Sequence, residues 1–236
     1  MRLLADCGNT ALKIAIRGAE GPEDVRRVGS DPAAVRAAVE GAAELRVVSS
    51  NPAMLAVLRE AWGNAWGISV VGEDLPLPEV GQYPTMGHDR ILAGLAAVAL
   101  YGPVVVVDCG TATTLTAWRP DAERAAGVRT LGGLILPGAT ACAVGLQRLA
   151  PSLPLVEPGT PDAAPMQLET PGAIAAALGI GYVAMVERCL TRLQEVTGIG
   201  QVVCTGGAAE RVLPEAPRVA DLVFRGLAGF DALDRL

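Results

Sequence analysis

Two short segments of the chain carry the same Asp-Cys-Gly-(Asn/Thr) motif, each directly after an apolar run. The first copy begins at Asp6 and the second at Asp108. Glycine in a tight turn lets backbone N–H groups approach a phosphate closely. The side chains of Asn9, Thr10 and Thr111 add neutral hydrogen-bond donors. We therefore interpret the two copies as phosphate-binding turns that close on one nucleotide.

Three charged side chains accompany these turns. A carboxylate repels phosphate, so Asp6 and Asp108 are better placed to hold a cation, either Mg²⁺ or a monovalent ion, that neutralises the phosphate charge. Lys13 is the only lysine of the chain and could reach the phosphates as a point charge. Neither G-x-x-x-x-G-K-[ST] nor G-x-G-x-x-G follows the two apolar runs, which excludes a P-loop and a Rossmann fingerprint there.

A third segment, Gly87–Arg90, begins a helix predicted over 87–101. Backbone N–H groups and the helix dipole favour anions at such a position. Asp89 is the candidate general base, because a kinase needs a carboxylate within hydrogen-bond reach of the acceptor hydroxyl. Arg90 could bind an anionic substrate or transition-state charge. His88, the only histidine, points elsewhere if Asp89 faces the ligand, because adjacent helical residues diverge.

The apolar pattern predicts two α/β halves that position these segments. The first half is predicted as a hairpin over 1–17, a strand at 23–29, a helix at 31–43, a strand at 45–49, a helix at 51–62 and a strand at 67–71. The Pro- and Gly-rich segment 73–86 is predicted as a loop before the 87–101 helix.

The second half repeats this plan. It is predicted as strands at 104–108, 111–118 and 126–130, a helix at 139–149, a loop at 150–169, a helix at 171–196, a strand at 201–204 and a short helix after 205–208. Such a duplication implies two lobes, 1–103 and 104–236, with the ligand in a cleft between them.

Composition narrows the function classes. The net charge is −6 without a basic block, which argues against nucleic acid as a partner. The longest apolar stretch, 172–186, is too short to span a membrane and fits a buried or interface helix. We find no secretory signal, and five scattered cysteines with one histidine do not support a zinc site. A reducing cytoplasm is the expected location.

These motifs together resemble the type III pantothenate kinase family, in the larger group of acetate and sugar kinases, Hsp70 and actin. Four segments carry the resemblance in order: DCGNTALK at 6–13, GHDR at 87–90, DCGTATT at 108–114 and GGLILPG at 132–138. The resemblance implies two duplicated ribonuclease-H-like lobes, each a mixed β-sheet with flanking helices, around a nucleotide cleft. It also implies ATP-dependent phosphorylation of pantothenate to 4′-phosphopantothenate, the first step of coenzyme A biosynthesis.

The resemblance also implies roles for individual residues. ATP, with Mg²⁺ near Asp6, would be bound by Asp6, Cys7, Gly8, Asn9, Thr10, Ala11, Leu12, Lys13 and Thr111. Asp108 would hold a monovalent cation, K⁺ or NH₄⁺. Asp89 would accept the proton, and Gly87, His88 and Arg90 would join it in the pantothenate site. Thr170 would contact pantothenate across the interface of a homodimer.

Two positions depart from the family's pattern. The family places a substrate-contacting Tyr seven residues before the glycine of G-x-D-R, where this chain has Val80, or Gly81 if Pro84 sets the alignment. Tyr83 is the candidate substitute. The Asn before the late Thr is Glu169 here. Two alternatives stay open: another small-molecule kinase on the same fold, and a non-catalytic ATP-binding regulatory homologue.

Overall fold

The structure is a computed structural model that describes residues 1–19, 21–63 and 66–229. The described residues group into two compact units. The first is built from Met1–Gly102, Arg119–Thr130 and the residues from Asp221 onward, and the second from Pro103–Trp118 and Leu131–Ala220. The two units therefore interleave along the chain. The division into lobes at 1–103 and 104–236 stays a prediction.

Strands and helices alternate along the described part of the chain. The strands are β1 (Arg2–Cys7), β2 (Leu12–Arg17), β3 (Pro22–Gly29), β4 (Glu44–Ser49), β5 (Ile68–Val70), β6 (Val104–Cys109), β7 (Ala112–Pro120), β8 (Val128–Pro137) and β9 (Val202–Thr205). The helices are α1 (Pro32–Val39), α2 (Pro52–Trp62), α3 (His88–Tyr101), α4 (Ala139–Leu149), α5 (Thr170–Thr197), α6 (Ala209–Val212) and α7 (Leu222–Ala228).

The first sheet has the order β3-β2-β1-β4-β5. Strand β1 pairs antiparallel with β2 and parallel with β4, so it lies in the middle of the sheet. Every residue of β1 except the first is buried. Helices α1 and α2 pack against one face, where Leu3, Leu45 and Leu58 belong to a continuous apolar core. Burial of one such leucine contributes about 1.5–3 kcal/mol.

Two helices of the first unit begin as the sequence predicts. Asp31 accepts a hydrogen bond from the Ala34 N–H at 2.8 Å and caps α1. Asn51 caps α2 through the N–H groups of Ala53 and Met54. Both caps are followed by proline at the first helical position, whose missing N–H costs nothing there.

Helix α7 completes the first unit from the far end of the chain. Its Phe224 and Leu227 join Leu4, Val48 and Leu92 in a second core cluster. The backbones of α7 and α3 lie so close that a Cβ on Gly226 would fall 2.1 Å from the Leu92 carbonyl oxygen. The buried Arg46 donates to the Leu227 carbonyl at 3.3 Å. The sequence did not predict this helix, and residues 230–236 lie outside the described part.

The second sheet has the order β8-β7-β6-β9, with β6 antiparallel to β7 and parallel to β9. This arrangement matches β3-β2-β1-β4 of the first sheet, so the predicted duplication of the strand plan is confirmed. The fold class, α/β with two mixed sheets and flanking helices, is confirmed as well.

Two predicted boundaries were wrong. The α1 helix ends at Val39 rather than at 43, because Glu40 adopts extended backbone angles and Gly41 follows with φ +71°. The third strand of the second half was predicted over 126–130, but β8 continues to Pro137. Its Gly133 lies inside the strand, where a Cβ would fall 1.9 Å from the Leu115 carbonyl oxygen. The glycine therefore marks a close approach of two strands.

Helix α5 is the longest helix of the described residues. Among the described residues it is the one helix long and apolar enough, by length and composition, to cross a membrane. A core helix of a soluble protein passes the same test, and α5 packs Tyr182, Val186 and Leu190 into the core of the second unit. The expectation that the chain has no membrane partner stays a prediction.

Candidate active site

The β1–β2 turn brings together a carboxylate and an ammonium group. Asp6 and Lys13 are direct cross-strand partners, and the Lys13 Nζ lies 3.5 Å from the Asp6 Oδ2. The turn between them is closed by the Gly8 N–H, which donates to the Ala11 carbonyl at 3.2 Å. Asn9 is exposed at the tip of this turn. The predicted phosphate-binding segment is thus a tight, solvent-facing turn with a paired charge at its base.

Three of the predicted ATP-binding positions face inward. The side chains of Cys7, Ala11 and Leu12 are buried, so these residues can offer a nucleotide only main-chain atoms. Burial raises the pKa of the Cys7 thiol to about 12, with a further contribution from the nearby Asp6 charge. The thiol therefore stays protonated and acts as a core side chain. Thr10, beside Asn9, is exposed.

Asp6 is the most strongly buried carboxylate of this group. Burial raises its pKa above the usual 3.8, Lys13 opposes that change, and the negative charge of Asp89 adds to it. Asp89 is therefore close enough to Asp6 for the two charges to repel each other. The first unit thus brings the predicted phosphate turn and the predicted general base to one place.

Asp89 lies in the first turn of α3. Its Oδ1 accepts a hydrogen bond from the Arg90 N–H at 2.9 Å. The glycine before it leaves room for this carboxylate, since a Cβ on Gly87 would fall 2.4 Å from the Asp89 Oδ1. Glycine at 87 is therefore required by the placement of the carboxylate rather than by a special backbone angle, because Gly87 has φ −57°.

Replacing Gly87 by alanine should move the carboxylate without straining the backbone. We expect Gly87→Ala to lower kcat by about 10- to 100-fold, since a 1 Å misplacement of a reacting group can cost that much. Steady-state kinetics with the acceptor substrate measure this. Gly145→Ala in α4 is the matched control, because a Cβ there meets nothing within 4 Å. Equal kcat for both variants would contradict the steric role of Gly87.

His88 contacts the main chain beside the first sheet. Its Nδ1 lies 3.1 Å from the Val71 carbonyl oxygen, just beyond β5. The divergence of His88 from Asp89 and the assignment of His88 to the pantothenate site both stay predictions.

The position of the family's substrate-contacting tyrosine is clearer in the structure. Val80 is fully buried, and Gly81 has φ +79° with no side chain to offer. Tyr83 is partly exposed, and its hydroxyl accepts a hydrogen bond from the Arg90 Nη1 at 2.7 Å. Of the three candidates, Tyr83 alone presents a side chain beside the G-x-D-R segment.

In the second unit, Asp108 lies near the end of β6, opposite Thr114 of β7 and Thr205 of β9. Two glycines allow other segments to approach Asp108 and the turn that follows it. A Cβ on Gly206, which has φ +87°, would fall 2.6 Å from the Asp108 Oδ1. Gly138 donates its N–H to the Thr111 carbonyl at 3.0 Å. Gly138 and Gly206 therefore lie against the second turn, and the sequence did not predict these contacts.

The sequence also missed a buried hydroxyl pair behind this turn. The Thr113 Oγ1 lies 2.5 Å from the Tyr182 hydroxyl of α5, and both side chains are buried. Burial raises the pKa of Tyr182 to about 12, so the phenol stays neutral and can donate to the threonine. The one signal in the sequence is a tyrosine within an Ala- and Gly-rich helix. Thr170, by contrast, is exposed at the first position of α5.

The structure also limits how a metal ion could be held. Among residues 1–19, 21–63 and 66–229 no group of three or more His, Cys, Asp or Glu side chains converges. Mg²⁺ commonly binds through one or two carboxylates together with substrate phosphates and water. The single buried carboxylate of Asp6 fits that mode rather than an all-protein cage.

The fold is shared with proteins of known structure. A protein assigned to the Baf family of transcriptional activators from Campylobacter jejuni matches with a TM-score of 0.63 at 18% identity, over 99% of this chain and 98% of that one. A protein described as a 2-dehydro-3-deoxygalactonokinase from Sinorhizobium meliloti matches with a TM-score of 0.58 at 14% identity, over 100% and 98%. The chain therefore shares the fold of these two proteins, and its assignment to the larger group with actin and Hsp70 stays a prediction.

Sequence comparison gives the family. The model of the family described as type III pantothenate kinase matches residues 2–192, and the chain belongs to this family. It is 39% identical over 141 residues to a type III pantothenate kinase of Thermosynechococcus vestitus, which covers 59% of this chain and 52% of that protein. It is 39% identical over 132 residues to one of Moorella thermoacetica, covering 55% and 49%. The chain thus matches about half the length of these relatives.

Proposed function

We propose that this chain is an ATP-dependent pantothenate kinase. The observation that carries the proposal is the grouping of Asp6, Lys13 and Asp89 in the first unit, together with membership of the family. A kinase needs a site that binds the phosphates of ATP and a base for the acceptor hydroxyl. The other open alternative, a non-catalytic ATP-binding regulatory homologue, would need no base, and the carboxylate of Asp89 at that position favours the kinase.

The proposed reaction transfers the γ-phosphoryl group of ATP to the primary hydroxyl of pantothenate. The hydroxyl oxygen forms a bond to the γ-phosphorus while the bond between that phosphorus and the β,γ-bridging oxygen breaks, and ADP leaves. Asp89 accepts the proton that the hydroxyl loses. Arg90, oriented by its hydrogen bond to Tyr83, would attract the carboxylate of pantothenate.

Asp6 and Lys13 would act on the phosphates. Lys13 is partly exposed and can leave Asp6 to meet a phosphate oxygen as a point charge. Asp6 would face a Mg²⁺ ion bound to the phosphates, which supplies neutralisation of the charge that develops during transfer. The N–H groups of the turn around Gly8 would also donate hydrogen bonds to the phosphates.

Asp108 is proposed to hold a monovalent cation, K⁺ or NH₄⁺, near the second phosphate turn. We expect Asp108→Asn to remove most of the dependence of kcat on K⁺, because a neutral amide attracts the cation far less. Rates measured with K⁺ and with Na⁺ at equal ionic strength give this dependence. Unchanged K⁺ dependence in the variant would show that the cation binds elsewhere.

A coupled assay of ADP release tests the whole proposal. We expect ADP release to depend on pantothenate, Mg²⁺ and K⁺. Turnover with a different acceptor, found with a panel of sugars and hydroxy acids, would indicate another small-molecule kinase. ATP binding without turnover on any acceptor would indicate the regulatory alternative. A homodimer that places Thr170 at the partner's site, and a cytoplasmic location, also belong to the proposal.

A further inference from the structure

His88 has a contact that the proposed reaction does not use. The Val71 carbonyl can only accept a hydrogen bond, so the His88 Nδ1, 3.1 Å away, must carry the proton. This requirement fixes the tautomer of the neutral ring. The ring also lies against Gly72, since a Cβ there would fall 2.2 Å from Cε1 and 2.8 Å from Nδ1. The chain therefore leaves a glycine where the imidazole needs space.

The acceptor of this hydrogen bond belongs to the sheet that carries Asp6. The Val71 N–H donates to the Val47 carbonyl of β4 at 2.9 Å, so Val71 is tied to that strand. Strand β4 in turn pairs with β1, with Val48 opposite Asp6. A short route of hydrogen bonds therefore leads from the strand of Asp6 to the residue next to Asp89.

The first turn of α3 lacks the usual means of anchoring a helix start. Its N-cap is Gly87, and no side chain caps the helix. The Asp89 carboxylate bonds to the next residue's N–H and stays within its own turn. The buried residues of α3 begin at Ile91, two residues after Asp89. The side chain of Arg90 bonds to Tyr83 in the preceding loop, and the side chain of His88 bonds to Val71 beside the sheet.

We infer that His88 is a positioning residue, which ties the first turn of α3 to the sheet through Val71 and so holds Asp89 beside Asp6. The imidazole acts as a hydrogen-bond donor at Nδ1 and takes no part in proton transfer. Gly72 leaves the space that the imidazole ring occupies. This inference rests on the proposed role of Asp89 as the base.

Asparagine and leucine at position 88 separate the donor from the shape of the side chain. The Nδ2 of asparagine occupies about the place of the histidine Nδ1. Leucine is similar in size to asparagine but has no hydrogen-bond donor. We expect His88→Leu to lower kcat by about 10²-fold with KM for ATP within about twofold of wild type. We expect His88→Asn to keep kcat within about threefold of wild type.

Hydrogen exchange reports on the anchor independently of the reaction. Amides of residues 90–92 should exchange at least about tenfold faster in His88→Leu and at nearly the wild-type rate in His88→Asn. If the wild-type chain does not phosphorylate pantothenate, the proposed function fails, and the exchange data still decide whether His88 is the anchor.

Gly72→Ala probes the same contact and keeps the imidazole. Alanine at φ +88° is strained anywhere, so Gly41→Ala at φ +71°, where a Cβ meets nothing within 4 Å, is the matched control. We expect kcat to fall at least about tenfold in Gly72→Ala and to stay near the wild-type value in Gly41→Ala.

Wild-type kcat and wild-type amide exchange in His88→Leu would overturn the inference. So would a His88→Asn variant as inactive as His88→Leu, which would show that the imidazole itself does chemistry.

Discussion

Asp89→Asn is expected to reduce pantothenate-dependent turnover by about 10²- to 10⁴-fold, the usual contribution of a general base. The amide oxygen of asparagine can still accept the hydrogen bond from the Arg90 N–H, so the first turn of α3 should keep its shape. The phosphate turn around Gly8 is untouched, and ATP should bind with nearly wild-type affinity. Single-turnover kinetics and calorimetric ATP titration measure the two quantities separately.

The matched control for this variant is Asp31→Asn. Asp31 also lies at the start of a helix in the first unit, is exposed, and caps α1, a task that asparagine performs equally well. We expect full activity from it. A near-normal kcat in Asp89→Asn would show that another group accepts the proton. A parallel loss of ATP binding would place Asp89 in the nucleotide site instead.

Asp6→Asn is expected to lower kcat/KM for ATP by at least about 10²-fold, the scale seen when one electrostatic group of a preorganised site is removed. The loss should be accompanied by a weaker dependence on Mg²⁺, since the amide carries no charge to attract the ion. Titrating Mg²⁺ at saturating pantothenate measures both effects. An unchanged Mg²⁺ requirement would separate Asp6 from the metal.

The same variant should be more stable than the wild type at neutral pH. The pKa of Asp6 is raised above 3.8 in the folded state, chiefly by burial, so the folded state binds its proton more tightly than the unfolded state does. The wild type therefore loses stability as the pH rises from about 3.8 through the raised pKa, and the full loss is present above it. Asparagine cannot ionise and avoids that loss.

Denaturant unfolding at several pH values tests whether Asp6→Asn is more or less stable than the wild type. The free energy of unfolding of Asp6→Asn should exceed that of wild type at pH 7, and the difference should vanish once the pH falls below the ordinary carboxyl pKa. Asp31→Asn serves again as the control. A less stable Asp6→Asn at pH 7 would mean that the pair with Lys13 outweighs the cost of burial.

Local patterns in the sequence were enough to predict much of the fold. Alternation of apolar and polar residues located the β1–β2 hairpin, and the pairs Asp31-Pro32 and Asn51-Pro52 located two helix starts. These signals work because strand and helix periods and capping are local effects. The placement of Asp6 opposite Lys13 also follows from the register of one hairpin.

Contacts between distant segments could not be predicted in this way. The hydroxyl pair of Thr113 and Tyr182 depends on how α5 lies across the sheet, a matter of packing rather than of local sequence. Gly133 falls outside the strand predicted over 126–130, although it lies inside β8 and lets this strand approach β7. The grouping of Asp89 with Asp6 joins residues far apart in the chain, and only the family resemblance pointed to it.

The placement of α7 has a consequence for how the chain folds during synthesis. Leu4, Val48 and Leu92 emerge early from a ribosome, but Phe224 and Leu227, which cover them, are translated after the entire second unit. Synthesis of the first unit therefore begins first, but its folding can be completed only after α7 has been translated. Until then its apolar face stays open, and a nascent chain would depend on chaperones or on rapid translation to avoid aggregation.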